Sequence, residues 1–270
     1  SIRLREVTAL SPLTDLYATD VIPEASLVVE RANMDGAKSF QSTRTILSAG
    51  TRRSFGDWAL GWKVGGYYDD LEISGPDKGN AQGVFASVSA MREFGAGMRL
   101  FGQALLGYGV EDRTRYVSDF KGSKRLDTTT HAVSLGASIG IGRKFAPDQI
   151  ALSFMPYAQL SWDGIHRDDV RESDSVVAQE YEDELLSVAA LEAGLAFKTR
   201  SSAASPTGNF FLEGRIAYRN RFHVNGDETY TWTGIRDETN VEFFDNRHAA
   251  AAQCKMGIVN RSRVRADARR

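Results

Sequence analysis

The feature that most constrains the fold of this chain is a strict two-residue alternation of side-chain character, repeated in run after run. Between Trp58 and Tyr68 the even positions carry mostly large apolar side chains, whereas the odd positions are small or charged, as at Lys63. The run at 131–143 alternates Val, Leu, Ala and Ile with Ala, Ser and Gly. Successive side chains of a strand point to opposite faces, so this period predicts strands with one apolar face.

The length of these runs separates a membrane barrel from a soluble sandwich, which would show the same alternation. They extend for roughly 12 to 18 residues, against roughly 5 to 6 in soluble sheets, and are long enough to cross a bilayer obliquely. The mean hydropathy of −0.33 and the 25% of charged residues resemble a water-soluble protein. A barrel strand hides its apolar face behind a polar one, so these averages do not exclude a membrane location. No apolar run is long enough for a transmembrane helix.

Short and long connections alternate between the predicted strands. Strands are predicted at 43–54, 57–70, 80–93, 96–112, 129–144, 148–163, 184–199, 208–224 and 247–259, with a further pair within 228–244. The connections near 56, 95 and 146 are tight, whereas 69–80, 112–128 and 163–183 are long and polar. Short periplasmic turns and long external loops produce this rhythm in outer-membrane barrels. The sequence therefore predicts an all-β, antiparallel transmembrane barrel.

Residues 1–40 do not alternate cleanly. The segment from Pro23 to Arg31 fits a short helix with proline in its first turn, and it fits a first strand equally well. We therefore expect residues 1–40 to form a linker, a helix in the lumen or a first strand, and residues 41–270 to form the barrel.

Polar side chains on the face opposite the apolar one are the candidate functional residues. An Arg or Lys facing lipid near the midplane costs roughly 2 to 4 kcal/mol, so these residues are expected to face inward. They line either a polar conduit or a structural salt-bridge network. The predicted lumen-lining residues are Lys63, Arg99, Gln103, Glu111, Glu213, Arg215, Arg219, Arg221 and Lys255. Aromatic residues near the ends of the apolar faces predict an interfacial girdle of Trp58, Tyr68, Tyr108, Trp162 and Tyr218.

Other motifs give little support for catalysis or metal binding. Ser138 lies in a Gly-x-Ser-x-Gly pattern, but inside a predicted strand and not at the strand-to-helix turn that a hydrolase nucleophile needs. The four histidines lack metal-ligand spacing, and the acidic segment 168–183 lacks the spacing of an EF-hand. The single cysteine excludes an internal disulfide, and the net charge of −2 argues against nucleic-acid binding. We predict no catalytic residues, no metal and no cofactor.

In order along the chain, these elements resemble the translocator barrel of autotransporters of the Gram-negative outer membrane. The resemblance covers roughly 45–260 and rests on short motifs: 57–62 and 65–68, 107–109, 156–160, the small-residue strand 187–197, and the aromatic and basic strand 215–222. It implies a barrel of about twelve strands, a lumenal helix and an N-terminal passenger. Family members end on a strand with a terminal aromatic residue, whereas this chain ends in Arg270, so we expect the C-terminal strands to be incomplete.

The resemblance also implies partners. These are outer-membrane lipid, the chain's own passenger, the barrel-assembly machinery and periplasmic chaperones, with a monomeric barrel and no nucleic acid. The leading hypothesis is a translocator that anchors and exports the passenger through a polar lumen. The alternatives are a free-standing porin or surface-interaction barrel, and a membrane-barrel enzyme, for which the sequence offers no Ser/His/Asp constellation.

Overall fold

The computed structural model describes residues 9, 13, 22–34, 40–73, 77–119, 122–147, 152–171, 179–181, 184–199, 209–225, 227–232, 238–242 and 248–259. Throughout these residues the regular structure is strand. The strands are β1 Ile22–Met34, β2 Phe40–Phe55, β3 Trp58–Ile73, β4 Lys78–Phe94, β5 Met98–Asp119, β6 Gly122–Arg143, β7 Leu152–Arg167, β8 Val170–Arg171, β9 Gln179–Tyr181, β10 Glu184–Thr199, β11 Asn209–Asn225, β12 Asp227–Trp232, β13 Glu238–Glu242 and β14 His248–Val259. The prediction of an all-β antiparallel fold is confirmed.

Ten of these strands form one antiparallel sheet in the order β1-β2-β3-β4-β5-β6-β7-β10-β11-β14. The sheet curls into an open half-barrel, and within the described residues β1 and β14 lie at opposite ends of the strand order. The remaining strands form a small sheet, β13-β12-β9-β8, from the long segments that follow β7 and β11. The main sheet thus holds ten strands in the described part of the chain, against about twelve expected.

The segment from Pro23 to Arg31 is a strand, so the helical alternative for it is wrong. It lies within β1, which pairs with β2 along its whole length, from Ile22 opposite Arg52 to Met34 opposite Phe40. Pairing with β2 satisfies the backbone groups of this segment and extends the sheet by one strand.

The strands that run furthest beyond their predicted bounds are β5 and β6. The segment 112–128, expected to be a loop, continues the β5–β6 ladder to Asp119 opposite Gly122. Side-chain hydrogen bonds support this extension, including Thr114 to Asp127 at 2.7 Å and Thr129 to Asp112 at 2.7 Å. Both faces carry mostly polar side chains here, so the apolar alternation that marks the other strands is missing.

The strands are tilted relative to the line of short turns. One row of paired residues runs from Trp58 through Arg92 and Leu100 to Ile141. Trp58 is the first residue after the turn between β2 and β3. Ile141, in contrast, lies four residues before Phe145, which bridges to β7 at the turn between β6 and β7. Such a progressive stagger is the shear that a sheet needs in order to close into a barrel.

Candidate functional site

The two faces of the sheet have the opposite polarity to those of a soluble protein. On β4, Val84 is 62% exposed, whereas Ser87 on the other face is 5% exposed. The same inversion recurs on β5, where Leu106 is exposed and Arg99 is 0% exposed. We call the exposed apolar side the outer face and the buried side, inside the curl, the inner face. Large exposed apolar surfaces of this kind require a non-aqueous partner.

The apolar band on the outer face has the thickness of a membrane. On β5 it extends from Leu100 to Val110, and Asp112 and Thr114 follow on the same face. This length corresponds to about 33 Å along the strand, or about 25 Å along the membrane normal at a tilt of about 40°, which matches the apolar band of outer-membrane barrels. No helix with the length and apolarity needed to cross a membrane occurs among the described residues.

A charged cluster on β7, β10 and β11 occupies the part of the inner face nearest β14. The Glu192 carboxylate, 3% exposed, accepts hydrogen bonds from Arg219 Nε at 3.0 Å and Arg219 Nη2 at 2.6 Å. Its other oxygen accepts from Tyr157 Oη at 2.7 Å and from Arg215 Nη1 at 3.3 Å. Two guanidinium groups and a phenol therefore saturate one buried carboxylate.

Several other predicted lumen residues also have acidic or basic partners on the inner face. Lys63 Nζ lies 3.1 Å from Glu24, and Arg99 Nη2 lies 2.6 Å from Glu93. Glu111 pairs with Arg167 at 3.3 Å and Glu213 with Lys198 at 3.2 Å.

Of the remaining predicted lumen residues, the structure describes the side chains of two and not that of the third. Gln103 is buried and Arg221 is half-buried on this face, whereas the side chain of Lys255 lies outside what the structure describes. Sequence reasoning missed Glu192 and the acidic and basic partners of the paired residues. The same two-residue alternation could have identified Glu192, because it places this residue on the face of β10 opposite Leu191 and Leu195.

Apolar residues also occupy parts of the inner face. Ile46, Phe85 and Leu105 form one buried cluster, and Ala59 and Met91 form another. The inner face is therefore mixed, with polar clusters separated by packed apolar side chains.

One described residue ahead of β1 contacts this inner face. Leu13, 4% exposed, packs in a cluster with Met155, Tyr157, Ala196 and Ala217. All four of these strand residues have inner-face side chains. A residue upstream of the first strand therefore lies inside the curl of the sheet.

The five predicted girdle residues are all exposed, on the outer face. Trp58 lies at a short turn, and Tyr68 and Tyr108 lie towards the loop end, where the Tyr108 hydroxyl is 2.7 Å from His131 Nδ1. Trp162 and Tyr218 lie on the outer face of β7 and β11.

The candidate nucleophile and metal ligands from the sequence do not form a site among the described residues. Ser138 lies within β6, opposite Ser161 of β7. No group of three or more potential metal ligands occurs among the described side chains. In the acidic segment 168–183, residues 172–178 and 182–183 lie outside the described part of the chain.

Comparison with known proteins identifies the family. Residues 29–264 match the model of the autotransporter beta-domain. The fold is similar to the translocator domain of the autotransporter NalP from Neisseria meningitidis, with a TM-score of 0.64 and 12% identity over 90% of this chain and 84% of that one. It is also similar to the beta domain of the Bordetella autotransporter BrkA, with a TM-score of 0.55 and 19% identity over 77% of this chain and 82% of that one.

No curated protein matches the sequence significantly. The family match covers most of the chain, and membership implies an attached passenger domain and an outer-membrane location. The chain belongs to the autotransporter beta-domain family and is the outer-membrane translocator barrel of an autotransporter.

Proposed function

We propose that the passenger is exported through the inside of this barrel, along the inner face, and that the barrel itself carries no catalytic residue. The position of Leu13 is the observation that supports this route most directly. β1 begins at the short-turn end of the sheet, with Ile22 opposite Arg52, and Leu13 packs inside the curl against β7, β10 and β11. A passenger attached ahead of this segment would be continuous with a chain that already lies inside.

The paired charges of the inner face suit a conduit. An unpaired guanidinium would attract acidic segments of a translocating chain, whereas Arg215 and Arg219 already share Glu192. Lys63 and Lys198 have carboxylate partners as well. We infer that these side chains, with Arg99, Gln103, Glu111, Glu213 and Arg221, form a polar wall whose charges are largely paired within the protein, and that an extended polypeptide passes it without binding tightly.

We further propose that the barrel is a monomer delivered by periplasmic chaperones and inserted by the barrel-assembly machinery. The exposed apolar band would aggregate if it met water before insertion, because transiently exposed apolar surfaces and strand edges associate. Neither the charge of the chain nor its outer face suggests nucleic acid as a partner.

Disulfide trapping tests the route. In a Cys254→Ser background, Leu13→Cys with Ala196→Cys should form an intramolecular disulfide, because these residues belong to one buried cluster. Ala193→Cys is the matched control, since Ala193 lies on the outer face of the same strand. A reporter passenger fused ahead of Ser1 should fail to reach the cell surface when the first pair is oxidised, and should recover on reduction.

Two results would contradict the proposal. One is equal cross-linking of Leu13→Cys to Ala193→Cys, and the other is normal export with Leu13 locked to Ala196. The absence of catalysis has its own test: Ser138→Ala, which removes the sole hydroxyl of the Gly-x-Ser-x-Gly pattern, should export the reporter with unchanged yield.

A further inference from the structure

A three-residue motif recurs where β2, β4 and β6 reach their short turns. These strands end in Arg53-Ser54-Phe55 and Arg92-Glu93-Phe94, and β6 runs into Arg143-Lys144-Phe145. The three strands are every second strand of the sheet, so the motifs follow one another along the short-turn rim in steps of about 10 Å. We call this surface the Arg-x-Phe rim.

The arginine of each motif is exposed on the outer face and lies over an aromatic ring. The Cζ of Arg53 lies 4.6 Å from the centroid of Phe55, that of Arg92 lies 5.2 Å from Trp58, and that of Arg143 lies 5.1 Å from Phe145. Cation–π contacts at this distance orient the guanidinium without neutralising its charge. Arg143 Nε also donates a hydrogen bond to the Ala96 carbonyl at 3.1 Å.

The Arg-x-Phe rim lies at headgroup level in the membrane. Short turns of outer-membrane barrels face the periplasm, and each arginine precedes its turn phenylalanine by two residues. An arginine on the lipid side costs roughly 0 to 1 kcal/mol near the interface, against roughly 2 to 4 at the midplane. Three guanidinium groups are thus held at the level of the phosphates in the periplasmic leaflet, which consists of phospholipid.

A groove on the outer face leads from this rim towards the middle of the apolar band. It has a volume of about 630 Å³, with Arg53 at one end, Phe55 and Trp62 as its walls, and Ala90, Gly102 and Ala104 as its floor. The small floor residues make a depression in an otherwise bulky surface. Its lining is largely apolar, so an acyl chain fits it while the phosphate of the same lipid reaches Arg53.

The opposite rim of the same strands differs in charge. Its outward charged residues are mostly acidic and include Asp70, Glu72, Asp112 and Asp127; of the basic ones, Lys78 lies opposite Glu72 and Arg125 is paired with Asp127 at 2.9 Å. Arginine binds phosphate bidentately, and clustered basic residues near a membrane surface attract anionic lipids. The positive charge is therefore concentrated at the short-turn rim, beside the groove.

We propose that the Arg-x-Phe rim and its groove form a binding site for an anionic phospholipid of the periplasmic leaflet. One acyl chain lies over Ala90, Gly102 and Ala104, the phosphate is bound by Arg53, and Arg92 and Arg143 add positive charge further along the same rim. The site fixes the height and tilt of this side of the barrel in the membrane.

Native mass spectrometry of the whole chain, released from detergent micelles, tests this proposal. Phosphatidylglycerol is titrated against phosphatidylcholine with matched acyl chains, and inorganic phosphate serves as the headgroup control. The wild-type barrel should retain phosphatidylglycerol preferentially. Basic residues at a membrane surface contribute about fivefold each, so Arg53→Gln, Arg92→Gln and Arg143→Gln should each weaken that preference about fivefold, and the triple variant should abolish it.

Three further variants make the result specific to the site. Lys in place of all three arginines should keep part of the preference, because the charge remains while the bidentate geometry is lost. Ala104→Phe fills the groove and should weaken retention of both lipids with the arginines intact. Arg125→Gln, at the other rim, should behave as wild type.

Several outcomes would overturn the proposal. They are equal retention of the two lipids by the wild-type barrel, an unchanged preference in the triple Gln variant, and an equal loss in Arg125→Gln. If the wild-type barrel formed a lipid-free dimer that dissociated in the triple variant, the rim would bind a second copy of the chain and not a lipid. Circular dichroism and the heat-dependent gel shift verify that each variant is folded before it is scored.

Discussion

Glu192 and Arg219 lie directly opposite each other on β10 and β11, and both side chains are buried on the inner face. Two hydrogen bonds join them, and Arg215 and Tyr157 bind the second carboxylate oxygen. At this position β10 and β11 are therefore joined both by backbone pairing and by a charged side-chain pair. The cluster thus holds the two strands together as well as lining the interior.

Removing this carboxylate should destabilise the barrel. Glu192→Gln leaves two guanidinium groups facing a neutral amide, and loss of one partner of a buried ion pair typically costs about 3 kcal/mol. We expect the urea midpoint in lipid vesicles to fall accordingly. Asp127→Asn, which removes the acidic partner of an exposed pair on the outer face, should lower the midpoint far less, because exposed ion pairs contribute little to stability. Equal midpoints for Glu192→Gln and the wild type would contradict the role of the cluster.

Charge on the outer face should be tolerated only outside the apolar band. Leu106→Arg places a guanidinium within the band and should cost about 2 to 4 kcal/mol, whereas Asp112→Arg, just beyond Val110, should cost at most about 1 kcal/mol. The yield of folded barrel after dilution from urea into vesicles measures the difference. If Leu106→Arg folded as efficiently as Asp112→Arg, the outer face would not contact lipid at residue 106.

A close approach between Phe101 and Gly140 should make that glycine irreplaceable. A Cβ at Gly140 would lie 2.5 Å from the Phe101 ring and 3.0 Å from the Ala158 carbonyl. Gly140→Ala should therefore destabilise by about 1 to 3 kcal/mol, the usual cost of overpacking. Phe101→Leu in the same chain should restore part of the loss. Gly107→Ala, where the nearest atom would be 3.4 Å away, is the control and should have little effect.

The β5–β6 extension should loosen in acid. Hydrogen bonds from Thr114 and then from Arg125 hold the pKa of Asp127 below its usual value. A lowered folded-state pKa means that this contribution is present above the ordinary pKa of an Asp and is lost as the pH falls through the lowered value. Amide hydrogen exchange at residues 114–119 and 122–127 should therefore quicken at the acidic end of a pH series, after correction for intrinsic rates. Asp127→Asn should remove this pH dependence of the exchange rate. If the variant still showed the pH dependence, other titrating groups would be its cause.

The sequence predicted the strands well where one face is apolar and the other polar. β10 was expected at 184–199 and is found at Glu184–Thr199, and β11 and β14 begin and end within one residue of their predicted bounds. The alternation predicts these strands correctly because successive residues face lipid and the barrel interior in turn, and lipid requires apolar side chains whereas the interior accepts polar ones. The β5–β6 extension was missed because beyond Val110 both faces meet water and the contrast disappears.

The candidate site was predictable in part. Alternation placed Arg99, Gln103 and Arg219 on the polar side, and all three are buried there. It did not reveal the partners of Arg99 and Arg219, because Glu93 and Glu192 belong to neighbouring strands and pairing depends on register. The position of Leu13 was also inaccessible from the sequence, since a single apolar residue in a segment without periodicity carries no signal of its contacts. The sequence also left β1 undecided between a helix and a strand, because proline near its start suits either a helix or a strand end.

The central claim is that lipid surrounds the outer face while the inner face encloses polar groups and the exported chain. Single nitroxide labels at 103–108 of β5, in a Cys254→Ser background reconstituted in vesicles, test it most directly by paramagnetic relaxation. Labels at 104, 106 and 108 should collide freely with oxygen dissolved in the bilayer, and labels at 103, 105 and 107 should be shielded from it. Oxygen accessibility that peaks at the odd positions, or that shows no two-residue period, would contradict the account.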